Sequence, residues 1–372
     1  MERFSVVIAG GGVAALEGLL RLHKLAGEAV ETTLLAPNEE FAFRALSVKE
    51  PFALGAARRH PIRRLVRAAS AEWVQDTLGW VDPDGQLVHT GEGAELPYDA
   101  LLLATGARTS PAYEHATTFR DGQADELLHG IVQDLEAGYT KRVVFVAPEG
   151  PMWMLPLYEL ALMSAERARS AGMDDVELVV VTREQRPLAG FGAAGADALG
   201  DLLDEAGVTV YAGSTARIPA GGRVLVQPRD VELRAERVIA LPRISGPALR
   251  GVPAGQDGFL AVDDHCLVPG TGGRVFAAGD VVSGPVKHGG LSAQQADVAS
   301  AAIARLAGAD VEAPALHPVI HGMLLTGGRP LYLRARLVGG TGFETEVSGE
   351  PLWPSGAKVV AEELGDHLAD GG

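Results

Sequence analysis

Three short stretches hold residues whose types and spacing can do chemistry. In "VVIAGGGVAALEGLL", Gly10, Gly12 and Ala15 form a G-x-G-x-x-A pattern straight after an apolar run and straight before a helical one. Glycines there allow a tight turn and close backbone approach. The helix start, at Val13 and Ala14, offers free N–H groups and a partial positive charge to a pyrophosphate. "YDALLLATGAR" is an apolar run that stops at Ala104, Thr105 and Gly106, and "GRVFAAGDVVSG" delivers Asp280 just after Gly279. An aspartate so placed can accept hydrogen bonds from the ribityl hydroxyls of a flavin, with glycine before it so that the ligand lies against backbone.

Two departures qualify the pattern. The second strand of a dinucleotide fold ends in an acid that holds the adenosine ribose. Here Ala36 and Pro37 stand at that place, and Asn38, Glu39 or Glu40 either reaches the ribose from the loop or forms a solvated turn. A second strand-turn-helix, "VVFVAPEGPMWMLPLYELALMSAERARSAG", has no glycine fingerprint at all. Its turn reads Ala147, Pro148, Glu149, Gly150, Pro151, Met152, Trp153, Met154, and the two prolines remove N–H donors where a pyrophosphate needs them.

The elements that must position these residues alternate. Periodicity predicts strand 5–9, helix 13–25 and strand 32–35, then a basic segment with Arg58, Arg59, Arg63, Arg64 and Arg67. Hairpin-like strands follow, and this first block ends near Gly106. From Lys141 a second run predicts strands at 143–147, 176–181 and 208–211, separated by helices at 157–170 and 196–206. Another hairpin-rich stretch, the "GRVFAAGD" strand and a helix at 291–306 complete the pattern. Such alternation implies parallel, doubly wound sheets.

The totals agree with a globular, multi-unit chain: 372 residues, 47% hydrophobic, net charge −16. That acidity repels phosphate backbones and anionic headgroups, so nucleic acid is not an expected partner. A single cysteine, Cys266, rules out an internal disulfide, a redox dithiol or a Cys₄ metal site, and no metal is expected. Cys266 itself reads as a small buried apolar residue. The start of the chain reads as a core strand rather than a signal peptide, and there is no run of 18 apolar residues, so the expected location is cytoplasmic without a transmembrane segment.

In this order and spacing the three motifs resemble the FAD-binding half of the pyridine nucleotide-disulfide oxidoreductase superfamily, over about residues 1–310. "APEGPMWMLPLYELALMSAERARSAG" with "VTREQRPLAGFGAAGADALGDLLDEAGVTVY" looks like the matching part of sulfide:quinone oxidoreductases and flavocytochrome c sulfide dehydrogenases. "GPVKHGGLSAQQADVAS" and the tail "PVIHGMLLTGGRPLYLRARLVGG" are similar to the same branch and to type II NADH dehydrogenases. The resemblance implies an α/β fold of two Rossmann-like, doubly wound, three-layer domains, the second inserted into the first, plus a small C-terminal segment. The expected division is 1–110 and 241–310 for the FAD-binding domain, 111–240 for a degenerate NAD(P) domain, and 311–372 for a C-terminal interface segment.

It further implies a non-covalent, extended FAD held by Gly10, Gly12, Val13, Ala14, Ala15, Ala36, Pro37, Arg44, Ala104, Thr105, Gly106, Gly279, Asp280, Lys287, His288 and Gly289. Relatives carry a glutamate at Glu159 near the reactive edge of the flavin and a lysine at Lys287. The first can relay a proton or complement a helix dipole. The second can stabilise the charge of a reduced flavin or sit on the surface. His288 can shuttle protons or be structural. The helix near Gly290 carries Ser292, Gln294 and Gln295 in its first turns, and the arginine cluster binds FAD phosphates, a partner, or solvent.

The branch's sulfide enzymes hold sulfur on cysteines that this chain lacks. The leading expectation is therefore an FAD oxidoreductase exchanging electrons with a quinone-like or other small carrier, with Met152, Trp153 and Met154 walling the space a nicotinamide would fill. The alternatives are an NAD(P)H dehydrogenase with a degenerate site and a non-catalytic flavin-binding subunit. An oligomer is compatible with either. In the tail, Trp353, Val359, Val360, Leu364 and Leu368 form an apolar face with Ser355 as a cap. Glu362, Glu363, Asp366 and Asp370 against Lys358 favour docking on the protein itself over an interfacial helix.

Overall fold

The computed structural model describes residues 3–119, 125–337 and 343–369; Asp370 lies outside them. Two five-stranded, all-parallel sheets organise the chain. The first runs in the order Val275–Ala277, Ala100–Leu103, Phe4–Ala9, Val30–Leu35, Glu72–Val74, with Ile8 paired to Leu34 on one side and to Leu102 on the other. These strands are runs of Val, Ile, Leu and Ala because both faces are covered, which leaves no place for polar alternation. The Val13–Ala26 and Gly289–Leu306 helices cover one face. An antiparallel meander of Leu78–Asp82, Leu87–Thr90 and Glu95–Pro97 covers the other, through Val81 and Val88.

The two helices approach closely because small residues line their contact. A Cβ on Gly18 would stand 2.8 Å from Leu102 Cδ2, and Ser300 Oγ donates to the Gly18 carbonyl at 3.1 Å.

The second sheet repeats the plan: Thr117–Thr118, Arg237–Ala240, Arg142–Val146, Glu177–Val181, Val208–Tyr211, again all parallel. Its helices are Asp125–Glu136, Leu155–Ser170 and Gly192–Glu205, and its meander is Thr215–Ala220, Arg223–Gln227 and Val231–Arg234. The chain leaves the first sheet at Arg108–Ser110 and returns at Arg243–Ser245, and these two passes pair antiparallel. The Val13–Ala26 helix starts where periodicity suggested, Leu155–Ser170 and Gly289–Leu306 start two residues earlier and Gly192–Glu205 four earlier, because periodicity cannot register the first turn before its apolar stripe begins.

Beyond these sheets, Val319–Leu324, Leu331–Leu337 and Phe343–Ser348 form an antiparallel sheet whose Leu324 and Leu333 join the core of the second sheet. A final helix, Glu362–Ala369, lies on Val13–Ala26 with Leu364 fully buried.

Candidate functional site

Folding brings the three nucleotide motifs to one place. Gly10, at φ +140°, ends the first strand, and its N–H is bonded to the Leu35 carbonyl at 2.9 Å. A Cβ there would stand 2.1 Å from the Ala104 carbonyl oxygen, so the first and second motifs touch and only glycine permits it. Gly279, at φ +83°, leans on Ala14, and its N–H is held by Gln295 Oε1 at 2.8 Å, which joins the third motif to the first. Nothing lies within 4 Å of where a Cβ on Gly12 or Gly106 would be. The helix starting at Val13 has no side-chain cap on its first N–H groups.

Two polar groups in this cradle want partners. Thr105 Oγ1 is buried with none, and the half-buried Asp280 carboxylate accepts no hydrogen bond among the described residues. Burial pushes the Asp280 carboxyl up, partly offset by Lys287. A capless helix start, open glycine backbone and two unpartnered oxygen groups fit an extended FAD. Lys287, 6% exposed, donates to the carbonyls of Asp280 (3.1 Å) and Val282 and lies 3.8 Å from the centroid of the Phe259 ring. Burial lowers its ammonium, and the charges of Asp280 and Asp257 oppose that.

The ribose end is plainer. Ala36 is bonded through its carbonyl to Trp73 Nε1 at 3.0 Å, and the Pro37 carbonyl accepts from Gln75 Nε2 at 3.3 Å. Asn38, Glu39 and Glu40 are exposed, as is Arg44, which starts the 3₁₀ turn Arg44–Phe52.

The fingerprint-less turn closes onto the flavin-type cradle. Met152 N–H donates to the Pro285 carbonyl at 3.1 Å. Trp153 packs on His288, ring centroids 4.3 Å apart, and on Phe191 at 5.8 Å. His288 caps the Gly289–Leu306 helix, its Nδ1 accepting from the Leu291 N–H at 3.3 Å. Burial first, then the charges of His321 and Lys358, push its imidazole down to about 3, so it is neutral and engaged. The structure places His288 as the cap of this helix. Gly289 follows, where a Cβ would meet Val359 at 3.1 Å.

In the same helix Ser292 Oγ donates to the His288 carbonyl, and Gln294 holds Val319 through both its N–H and its carbonyl. These serve packing.

Glu159 lies on the Leu155–Ser170 helix and is completely buried. Its Oε1 accepts from the Leu325 N–H at 2.9 Å, and Lys358 Nζ reaches Oε1 at 2.6 Å and Oε2 at 2.7 Å. Burial pushes the carboxyl up, against the pull of Lys358, and pushes the ammonium down, against the pull of Glu159. Glu159 thus sits in a buried ion pair with Lys358 near the start of its helix. Lys358 precedes the last helix rather than belonging to it. Ser355 Oγ accepts from Ala357 N–H in a local turn and caps no helix.

The cap of the last helix comes from elsewhere. Glu17, fully buried, accepts from the Glu363 N–H at 3.0 Å and the Leu364 N–H at 2.7 Å, while Glu363 pairs with Arg21 at 2.9 Å and Lys24 at 2.6 Å. Glu17 was missed from sequence, although an acid inside "VAALEGLLRL", on a buried helix face, is itself a signal. His321 was missed too. It stacks edge-on against Trp353 at 5.1 Å, with Nδ1 buried and unpartnered.

Cys266 is fully buried, and burial pushes its thiol up to about 12. Among the described residues no group of His, Cys, Asp and Glu could hold a metal, and no helix is long and apolar enough to cross a membrane.

Comparison with known proteins follows the same lines. No family model matches the chain. It is 23% identical over 300 residues to the sulfide-quinone reductase of Aquifex aeolicus (strain VF5), covering 75% of this chain and 69% of that one. The solved sulfide:quinone oxidoreductase of Aquifex aeolicus superposes with a TM-score of 0.84 at 20% identity, over 93% of this chain and 87% of that chain. A ferredoxin reductase from Rhodopseudomonas palustris superposes at 0.68 and 19% identity, over 90% and 83%. The fold is that of a two-Rossmann flavoprotein. The chain is similar to proteins of the pyridine nucleotide-disulfide oxidoreductase superfamily, among them the sulfide-quinone reductase.

Proposed function

We propose that this chain is an oxidoreductase that works through a non-covalently held FAD and exchanges electrons with a small apolar carrier, a quinone or a molecule like it, without a redox disulfide. One observation carries the reading: the second nucleotide turn is closed. Its Met152 N–H is committed to Pro285, and Pro148 and Pro151 offer no N–H. Glu184, the acid just past the Glu177–Val181 strand, is tied to the Tyr158 hydroxyl and accepts from the Leu188 N–H at 3.1 Å. A nicotinamide dinucleotide needs those donors and that carboxylate free.

Bound FAD supplies two-electron chemistry. The chain's own part is to hold it, at Gly10, Gly12, Val13, Ala14, Ala15, Ala36, Pro37, Arg44, Ala104, Thr105, Gly106, Gly279, Asp280, Lys287, His288 and Gly289, and to keep a positive charge in the cradle through Lys287. Burial drives the proton affinities of Glu159 and Lys358 toward each other. The pair can therefore take up or release a proton beside the Trp153 and His288 wall when a carrier changes charge. In this reading residues 1–110 and 241–310 form the flavin domain, 111–240 its inserted partner and 311–372 the interface segment. With one cysteine, and that one buried, no cysteine pair can hold sulfur.

The test is spectroscopic. The purified protein should show a flavin band. NADH and NADPH at micromolar concentration should leave that band intact in an anaerobic stopped flow, and the dithionite-reduced protein should be reoxidised by a short-chain benzoquinone. Rapid bleaching by either nucleotide would sink the reading in favour of an NAD(P)H dehydrogenase. Inertness to every donor, quinone and dye would leave a non-catalytic flavin subunit.

A further inference from the structure

The charge of this chain is segregated. Between Phe41 and Ala71 seven lysines and arginines face the single acid Glu50, so these residues carry +6 while the rest of the chain carries −22 of a total of −16. Folding keeps that charge outside. The Ile62–Ala68 helix buries Ile62, Leu65 and Val66 and turns Arg63, Arg64 and Arg67 outward, and Arg58 and Arg59 are exposed beside it. Arg59 approaches Glu40 at 3.8 Å, and Arg63 lies over Trp73, 5.2 Å from the ring centroid. Among the described residues Arg58, Arg64 and Arg67 have no carboxylate partner, in a chain of 48 acids. Arg58 and Arg64 are close enough to His60 to add to the effect of burial in lowering its imidazole.

Unpaired like charges crowded on one helix face repel one another, so a fold that keeps them there gains when an opposite charge arrives. We propose that the Arg58–Arg67 face is a docking surface for an acidic protein. A phospholipid surface fits less well. Membrane binding by a surface helix scales with inserted apolar area as well as charge, and this helix spends its apolar side on the core. An acidic protein is met by charge alone, as in small, transient, electrostatically steered redox encounters. The rest of the chain, at −22, would then orient the approach by repelling an acidic partner elsewhere.

The proposal uses none of the residues of the small-carrier reading, so it stands or falls independently of it. The experiment titrates the holoprotein with poly-L-glutamate as an acidic-chain probe, and with phosphatidylcholine vesicles containing one quarter phosphatidylglycerol. It uses 50 and 300 mM NaCl and compares the wild type with Arg58→Glu/Arg64→Glu/Arg67→Glu. Poly-L-glutamate should bind at 50 mM, weaken by at least tenfold at 300 mM, and weaken by at least tenfold in the variant, which should keep its flavin band and its melting temperature. No binding of poly-L-glutamate at 50 mM, or equal binding by the variant, overturns the proposal. Tighter binding to the vesicles makes the face a lipid surface instead, and loss of flavin from the folded variant makes it part of the cofactor site.

Discussion

Lys358 donates to both carboxylate oxygens of Glu159, at 2.6 and 2.7 Å, across 199 positions of sequence. The contact ties the C-terminal strap to the second sheet's helix, as Glu17 ties the strap's far end to the first sheet's helix. Removing one member of a buried pair leaves an uncompensated charge and costs roughly 3–5 kcal/mol, whereas removing both costs much less. Glu159→Gln and Lys358→Met should each lower the urea midpoint at unchanged m, and the double variant should recover most of the loss. A double variant as weak as the two losses added together would mean that the pair is not coupled.

The acids around Arg21 set a pH dependence. Burial pushes the Glu17 carboxyl up, against the two backbone N–H bonds it accepts, and Asp297 Oδ1, 3.9 Å from Arg21 Nε, is buried with no hydrogen bond among the described residues. Burial first, then the charges of Glu17, Glu362 and Glu363 against that of Arg21, push Asp297 up from 3.8 to about 8. The folded state therefore holds a proton that the unfolded state releases near 3.8, and stability falls as pH rises from there toward 8. Asp297→Asn should melt a few degrees higher than the wild type at pH 8 and together with it at pH 4. A constant difference across that range would refute the assignment.

Much of this was legible in the sequence. The two β-α-β runs read directly because strands buried on both faces are unbroken apolar runs, and Gly10 and Gly279 betray themselves as backbone positions where no side chain fits. What could not be read was pairing at long range. Nothing in "PSGAKVV" says that Lys358 turns inward, because its partner Glu159 is fixed only when the C-terminal sheet packs on the second core. The cap on the last helix was sought nearby, at Ser355, whereas a carboxylate from the first helix supplies it. His288 read as either a proton shuttle or a structural residue, because the burial that lowers its imidazole is a tertiary property.

That lowering is measurable. A histidine held neutral with its folded value near 3 is protonated first in the unfolded chain, near 6.5, so it withdraws stability as pH falls between those values. Asparagine keeps an acceptor for the Leu291 N–H but does not titrate. His288→Asn should lose less stability than the wild type between pH 6.5 and 4, and His288→Ala should cost about 1 kcal/mol at pH 7 through the lost cap. Identical acid limbs for the wild type and the asparagine variant would show that His288 is not the group responsible.

Thr105 separates a cofactor group from a packing defect. Its Oγ1 is buried with no partner, an arrangement that costs about 1–3 kcal/mol in the cofactor-free protein. Valine has the same shape without the hydroxyl. Thr105→Val should therefore raise the melting temperature of the deflavinated protein yet weaken FAD, about fivefold to tenfold for the loss of one hydrogen bond of about 1 kcal/mol. The two readouts move in opposite directions only if the hydroxyl faces the flavin. A variant that gains stability and binds FAD as tightly as the wild type would place Thr105 outside the cofactor cradle.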